Sequence, residues 1–140
     1  ITNFLEKIKD RTSPSSDDIM TLMMLAMAAS YDPDLKAPNN FRVPYNLETG
    51  DFISVRWSKW LAPDPINLAT KYHKNLKKMK ATYIDCGYRD QFHIHFGARQ
   101  LSNTLASKKV PHLYEEFNGT HSGIDHRLDI SLPYLSKHLL

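Results

Sequence analysis

Two stretches of this sequence carry the side chains best suited to chemistry. Tyr83-Ile-Asp-Cys-Gly-Tyr-Arg-Asp90 reads as a buried strand that ends in a sharp glycine turn with an acid just beyond it. Asn118-Gly-Thr-His-Ser-Gly123 reads as a loop that presents a histidine. A carboxylate that accepts the Nδ1–H of an imidazole fixes its tautomer and stabilises the imidazolium, and the imidazole then serves as general base toward a hydroxyl nucleophile. Asp90 and His121 are therefore candidate catalytic residues, two of the three parts of a Ser-His-Asp hydrolase. The third part, a serine on a G-x-S-x-G elbow, is absent from all 140 residues, so no nucleophile is assigned within this chain.

Each residue also has a plainer reading. Asp90 precedes a helical pattern and would cap it, aspartate being among the best N-caps. His121 alone is an ordinary loop histidine. The pairing raises both, because an acid and a histidine after successive strands meet at the carboxyl ends of an open α/β sheet, where sites are built. Asp85 is the rival carboxylate, but it lies inside the strand, where a loop histidine reaches it less easily. Gly119 and Gly123 allow the tight or left-handed backbone that a loop gripping an imidazole needs.

Other candidates are weaker. His93 and His95 lie two apart on an expected helix and would not face one side, and neither H-E-x-x-H nor paired cysteines occur. No metal and no cofactor are expected. Cys86 sits before the turn glycine without an elbow, and buried cysteines are inert. Gly119-Thr-His-Ser-Gly123 imitates G-x-S-x-G, but histidine holds the centre and Ser122 comes one place late. Asn118-Gly-Thr120 is a glycosylation sequon by pattern only.

The elements that must position these residues follow from periodicity. Ala81–Cys86 is an apolar strand-like run, and His112–Phe117 a second strand. Between them, 91–107 fits a helix with Ile94, Ala98, Leu101 and Leu105 on one face. A last helix over 124–139 carries Ile124, Leu128, Leu132, Leu135 and Leu139, with a kink or restart expected at Pro133. Strand–helix–strand–helix order implies a parallel pair. Upstream, Thr2–Lys9 suits a short helix. A second helix runs to about Ser30, capped by Ser15 or Ser16, with Asp17 and Asp18 at the positive end of its dipole. Pro33, Pro38, Pro44, Pro63 and Pro65 keep regular structure short in the middle, where 46–50 reads as a turn. Trp57, Trp60 and Leu61 fit a short amphipathic helix, and Asp64-Pro65 opens another. With Met23 and Met27, Trp57 and Trp60 are candidate substrate-binding residues for a lipophilic group, although core packing explains them equally well.

Composition bounds the function. A chain of 140 residues with 41% hydrophobic and 24% charged residues is a globular domain rather than a disordered or fibrous one. It begins at Ile1, as a fragment or processed product does. The net charge of +3, from 18 basic and 15 acidic residues, is a weak field. Lys71, His73, Lys74, Lys77, Lys78 and Lys80 read as a solvated helix face without interleaved aromatics, so no nucleic-acid partner is expected. No apolar run reaches the roughly 18 residues of a membrane span, and no membrane partner is expected. The single Cys86 forbids an intrachain disulfide and is compatible with a reducing, cytoplasmic compartment.

Residues 83–92 together with Glu115-Glu-Phe-Asn-Gly-Thr-His-Ser-Gly123 resemble the putative-esterase family of α/β-hydrolases, the esterase D and enterochelin-esterase-like enzymes. There the acid follows a strand in G-x-x-D, here Asp90, and the base stands in G-x-H-S, here His121. The resemblance covers 79–140, while 44–50 and 57–65 look similar to an insertion that some bacterial members carry. It implies an α/β fold: 79–140 would be the C-terminal half of a hydrolase sheet, and 1–78 a mostly helical cap or insertion. It also implies a small ester as substrate. Chain order in such enzymes is Ser, Asp, His, so nucleophile and oxyanion hole would lie upstream of Ile1. The chain would then expose an apolar sheet edge and pair through it, with the missing half or with a second copy. The alternative is a non-catalytic interaction module on the same fold.

Overall fold

The computed structural model of the chain describes residues 1–139. They combine six α-helices with a two-stranded parallel sheet, an α/β arrangement in general terms. The chain divides into two compact units, Ile1–Pro63 and Asp64–Leu140. The expected division at 78/79 lies later than this one. The reason is α4 (Pro65–Leu76), whose Ala69 packs with Leu101 and Leu105 of the following helix.

In the first unit, α1 spans Thr2–Ile8 and α2 Ser16–Tyr31. Ser15 starts α2 through a capping box: its hydroxyl accepts the Asp18 N–H, and the Asp18 carboxylate accepts the Ser15 N–H at 3.0 Å. Arg11 donates to the same carboxylate at 2.5 Å. Between α2 and the next helix the chain makes two isolated antiparallel bridges, Pro33–Phe41 and Tyr45–Phe52. The second flanks the turn at 46–50, closed by Gly50 N–H donating to the Asn46 carbonyl at 2.9 Å. The amphipathic helix is α3, Ser54–Leu61. Its Lys59 donates to the Asp32 carboxylate, which is almost wholly buried.

The second unit begins with Asp64 capping α4, its Oδ1 accepting the Ile66 N–H at 2.8 Å, with Pro65 at the first helical position, where no N–H is required. The parallel pair is β1 (Tyr83–Gly87) and β2 (Leu113–Phe117), in a register that sets Asp85 opposite Glu115 and Gly87 opposite Phe117. Side chains alternate between the two faces. On one face Ile84 packs with α4 and with α5 (Ile94–Ser107) around Ala69, Leu105 and Val110. On the other, Tyr83 meets Tyr134 of α6 (Leu128–Leu139) at 5.5 Å between ring centroids.

Two elements depart from expectation. Helix α5 starts at Ile94 rather than at 91, because residues 90–93 form tight turns and His93 adopts a left-handed conformation with φ 58°. The last helix restarts not at Pro133, which lies inside α6, but at Leu128, after a 3₁₀ turn over Asp125–Arg127. The lysines of the basic cluster are solvent-exposed. Among the described residues no helix is long and apolar enough to cross a membrane.

Helix α5 is also fastened to β2 by charge. Arg99 grips Glu116 with two bonds of 2.5 and 2.7 Å, and the Tyr114 hydroxyl donates to the same carboxylate at 2.6 Å. The Arg99 bond, then the Tyr114 bond, pull the Glu116 pKa from the ordinary 4.5 to about 2. A depressed folded pKa stabilises the fold above the unfolded value, and that contribution is lost as pH falls from 4.5 through about 2. Acid unfolding followed by circular dichroism should therefore show a decline in that window, and Glu116→Gln should flatten that part of the curve while lowering stability at neutral pH.

Candidate functional site

The site is built where the two strands end. Beyond Gly87 and Phe117 the chains stay in contact: Tyr88 N–H donates to the Phe117 carbonyl and Arg89 N–H to the Gly119 carbonyl, both at 3.0 Å. This approach requires glycine. A Cβ on Gly87 would stand 2.4 Å from the Gly119 carbonyl oxygen, and one on Gly119 would stand 2.3 Å from the Phe117 ring. The first turn then closes with Asp90 N–H on the Gly87 carbonyl and His93 N–H on the Asp90 carbonyl. Asp90 and His121 are thereby delivered to the same end of the sheet.

There they bond. His121 Nδ1 lies 2.9 Å from Asp90 Oδ2, with the Asp90 side chain 3% exposed and that of His121 47% exposed. The other carboxylate oxygen, Oδ1, accepts the Phe92 N–H at 2.8 Å. Burial pushes the Asp90 pKa up, but the bonds from His121 and from the backbone of Phe92 and Ile94 outweigh it, and the carboxyl lies below its ordinary value. An ionised carboxylate only accepts hydrogen bonds, so Nδ1 carries the proton in this pair, and Nε2 is the ring nitrogen turned away from Asp90. Nε2 makes no hydrogen bond among the described residues.

The capping role expected as the plainer reading of Asp90 is realised in part. Asp90 bonds backbone N–H groups ahead of α5, yet the N-cap residue is His93, whose side chain caps nothing. Asp85 faces elsewhere, onto Arg127 at 2.8 Å. Cys86 is buried and its thiol pKa is raised, by burial first and then by nearby Asp90 and Glu116, which works against a thiolate nucleophile. The rings of His93 and His95 are 6.0 Å apart and inclined to each other at 67°. Among the described residues no group of three His, Cys, Asp or Glu side chains is arranged to hold a metal ion.

Trp57 and Trp60 belong to the first unit. Their rings stack at 6.2 Å, with Phe52 against Trp57 and the edge of Tyr31 against Trp60, so they form an aromatic cluster of that unit. The structure also supplies partners of His121 that the sequence did not single out. The Gln91 side-chain carbonyl accepts the His121 N–H at 3.2 Å, and the Phe92 ring meets the imidazole edge-on at 4.8 Å. They follow Asp90 by one and two residues in sequence, which is the only signal they offered.

A groove of about 570 Å³ runs along β1, lined by Ile84, Cys86, Phe92, His93, Ile94 and Leu101 among others. Among the described residues β1 pairs only with β2, so its other edge has no strand partner. No protein-family model matches the chain, and no curated protein matches it.

Because a side chain at 87 would strike backbone rather than a yielding side-chain tip, Gly87→Ala should cost about 1–3 kcal/mol, the usual range for overpacking. It should also part Asp90 from His121. Urea unfolding measures the first effect and the imidazole NMR signals the second; wild-type values for both would show that the two loops do not need this contact.

Proposed function

We propose that this chain supplies the acid and the base of a serine ester hydrolase of the α/β-hydrolase type, in line with its resemblance to the putative esterases. The observation that carries the reading is the 2.9 Å bond between a buried Asp90 carboxylate and an exposed His121 imidazole whose Nε2 is left to accept a proton. The sequence offers no G-x-S-x-G, so the nucleophile and the oxyanion donors come from a segment outside these 140 residues. The open edge of β1 and the groove beside it are where that segment would join the sheet.

The chemistry follows from the tautomer. A serine hydroxyl attacks the carbonyl carbon of a small ester while its proton passes to Nε2 of His121. Asp90 holds Nδ1–H and stabilises the imidazolium without itself taking the proton. His121 returns the proton to the leaving alcohol, and an acyl-enzyme remains. Water repeats the sequence, giving its proton to His121 and releasing the carboxylic acid. The low pKa of Asp90 suits this role, since the acid must stay ionised throughout. Trp57 and Trp60 are assigned no step.

Alone, the chain should hydrolyse a nitrophenyl ester no faster than free imidazole at the same concentration. Combined with the G-x-S-x-G-bearing half of a putative esterase, it should gain activity, which Asp90→Asn or His121→Ala lowers by about 10⁴-fold, the usual scale for losing a triad member. Burst kinetics from the chain alone, abolished by His121→Ala, would require a nucleophile within it. A combined enzyme indifferent to both substitutions would leave the interaction-module alternative.

A further inference from the structure

Asp85 and Glu115 stand directly opposite one another across the β1–β2 pair. Like charges in that position are destabilising. Arg127 answers both. Its Nε donates to Asp85 Oδ2 and its Nη2 to Glu115 Oε2, each at 2.8 Å, and the same Nη2 reaches the Tyr83 hydroxyl at 2.9 Å. The Arg127 side chain is only 13% exposed. Tyr83 donates in turn to Glu115 Oε2 at 2.6 Å; burial and that carboxylate push its pKa up to about 12, so it stays a neutral donor. Bonds from Tyr83 and Arg127 hold the Glu115 carboxyl below its ordinary value.

The place of Arg127 in the chain matters more than its charge. It closes the loop that leaves the sheet after Phe117 and carries His121. Its guanidinium lies 4.6 Å from the centroid of the Phe117 ring, so the two feet of the loop touch. The His126 ring meets the same phenyl ring edge-on at 5.9 Å. Between the feet, three ties reach from residues 118–124 to elements beyond the loop among the described residues: the Gly119 carbonyl, the His121 N–H and the His121 imidazole; at the downstream foot itself the Ile124 carbonyl accepts the Arg127 N–H at 2.8 Å and the Gly123 carbonyl lies 3.2 Å from His126 Nδ1. All three ties lie in the upstream part of the loop. The downstream part returns through Gly123, at φ 69°, to Arg127.

We propose that Arg127 is a positioning residue for His121: by pinning the downstream foot of the loop to both strands and to Phe117, it keeps the imidazole on Asp90. The planar guanidinium serves three acceptors and a ring face together. A lysine ammonium, a point charge on a flexible stem, cannot reproduce that fork. The importance of the geometry rests on the acid–base reading of Asp90 and His121, but its test requires no hydrolysis.

The test uses the ¹⁵N-labelled 140-residue chain and the ring nitrogens of His121. Arg127→Lys keeps the charge and loses the fork. The triple variant Arg127→Gln, Asp85→Asn, Glu115→Gln removes the clamp while leaving no opposed carboxylates, and so protects the fold. In both, the Nδ1–H tautomer should give way to a mixture of tautomers, and exchange of Nδ1–H with water should quicken at least tenfold, while the circular dichroism of the triple variant stays that of the wild type. Unchanged ring signals in both variants overturn the proposal. So does a triple variant that fails to fold, since Arg127 would then be a determinant of the fold and not of His121. The acid–base reading fails by a separate result, a combined enzyme indifferent to His121→Ala, which leaves the NMR outcome standing.

Discussion

Gly87 has no side chain, and the backbone of Gly119 passes where its Cβ would be. Everything at the site depends on that passage. The parallel register places Gly87 beside Phe117, and the two strand-end loops continue as a pair through the Tyr88 and Arg89 amides. Any residue other than glycine at 87 meets a carbonyl oxygen, and backbone cannot swing aside as a side-chain tip can. The approach of the two loops that carry Asp90 and His121 is thus held by main-chain bonds as well as by side chains. A site held in this way is positioned before any ligand arrives, the condition for a proton acceptor to act without reorganisation.

Charge follows the same economy. The two strands carry three carboxylates, at Asp85, Glu115 and Glu116, and each is met by a guanidinium that belongs to a neighbouring element. Arg99 draws α5 to β2 on one face, and Arg127 draws the start of α6 to both strands on the other. Each carboxylate also has, or neighbours, a tyrosine hydroxyl held neutral by burial, as with Tyr114 on Glu116 and Tyr83 on Glu115. Such forks fix orientation better than apolar contact, which is non-directional. In so small a sheet they align the helices that flank the site.

What the sequence made legible was local. Periodicity and caps marked α2, α3 and α4, because Ser15 with Asp18 and Asp64 with Pro65 act within one turn. The strands, their parallel sense and the meeting of Asp90 with His121 followed from element order and from glycines at the turns. What escaped depended on tertiary contact. The late start of α5 arises because the turn after Gly87 must bring Asp90 under His121, which consumes residues 91–93. Pro133 is tolerated inside α6, where the expectation of a break rested on the lost N–H alone. Arg127 gave no signal at all: its meaning appears only once the register sets Asp85 opposite Glu115, and register is not written in either strand singly. The candidate substrate residues Trp57 and Trp60 pack on each other and on Phe52 and Tyr31, a cluster that composition alone did not foretell.

The faces that remain uncovered bear on the proposed function. Parallel strands normally lie buried, with helices on both faces and further strands at their sides. Here α5 lies over β1 and β2 and α4 packs beside it, while a second groove, of about 360 Å³ and lined by Leu68, Tyr72, Thr82, Ile84 and Leu105 among others, lies where α4, α5 and β1 meet. The Thr82 hydroxyl is buried there without a partner among the described residues. On α6 the residues expected to face a core, Leu128, Leu132 and Leu139, are more than half exposed, and on α5 Ile94 is nearly so. A strand set against β1 would satisfy its open backbone groups and fill the space beneath α4, where further helices or strands would meet the apolar rows of α5 and α6. The proposed hydrolase needs its nucleophile brought to the same end of the sheet as His121. On the proposed reading a parallel strand beside β1 would end at that end by geometry, so one segment would both pair with the strand edge and bring the serine to His121.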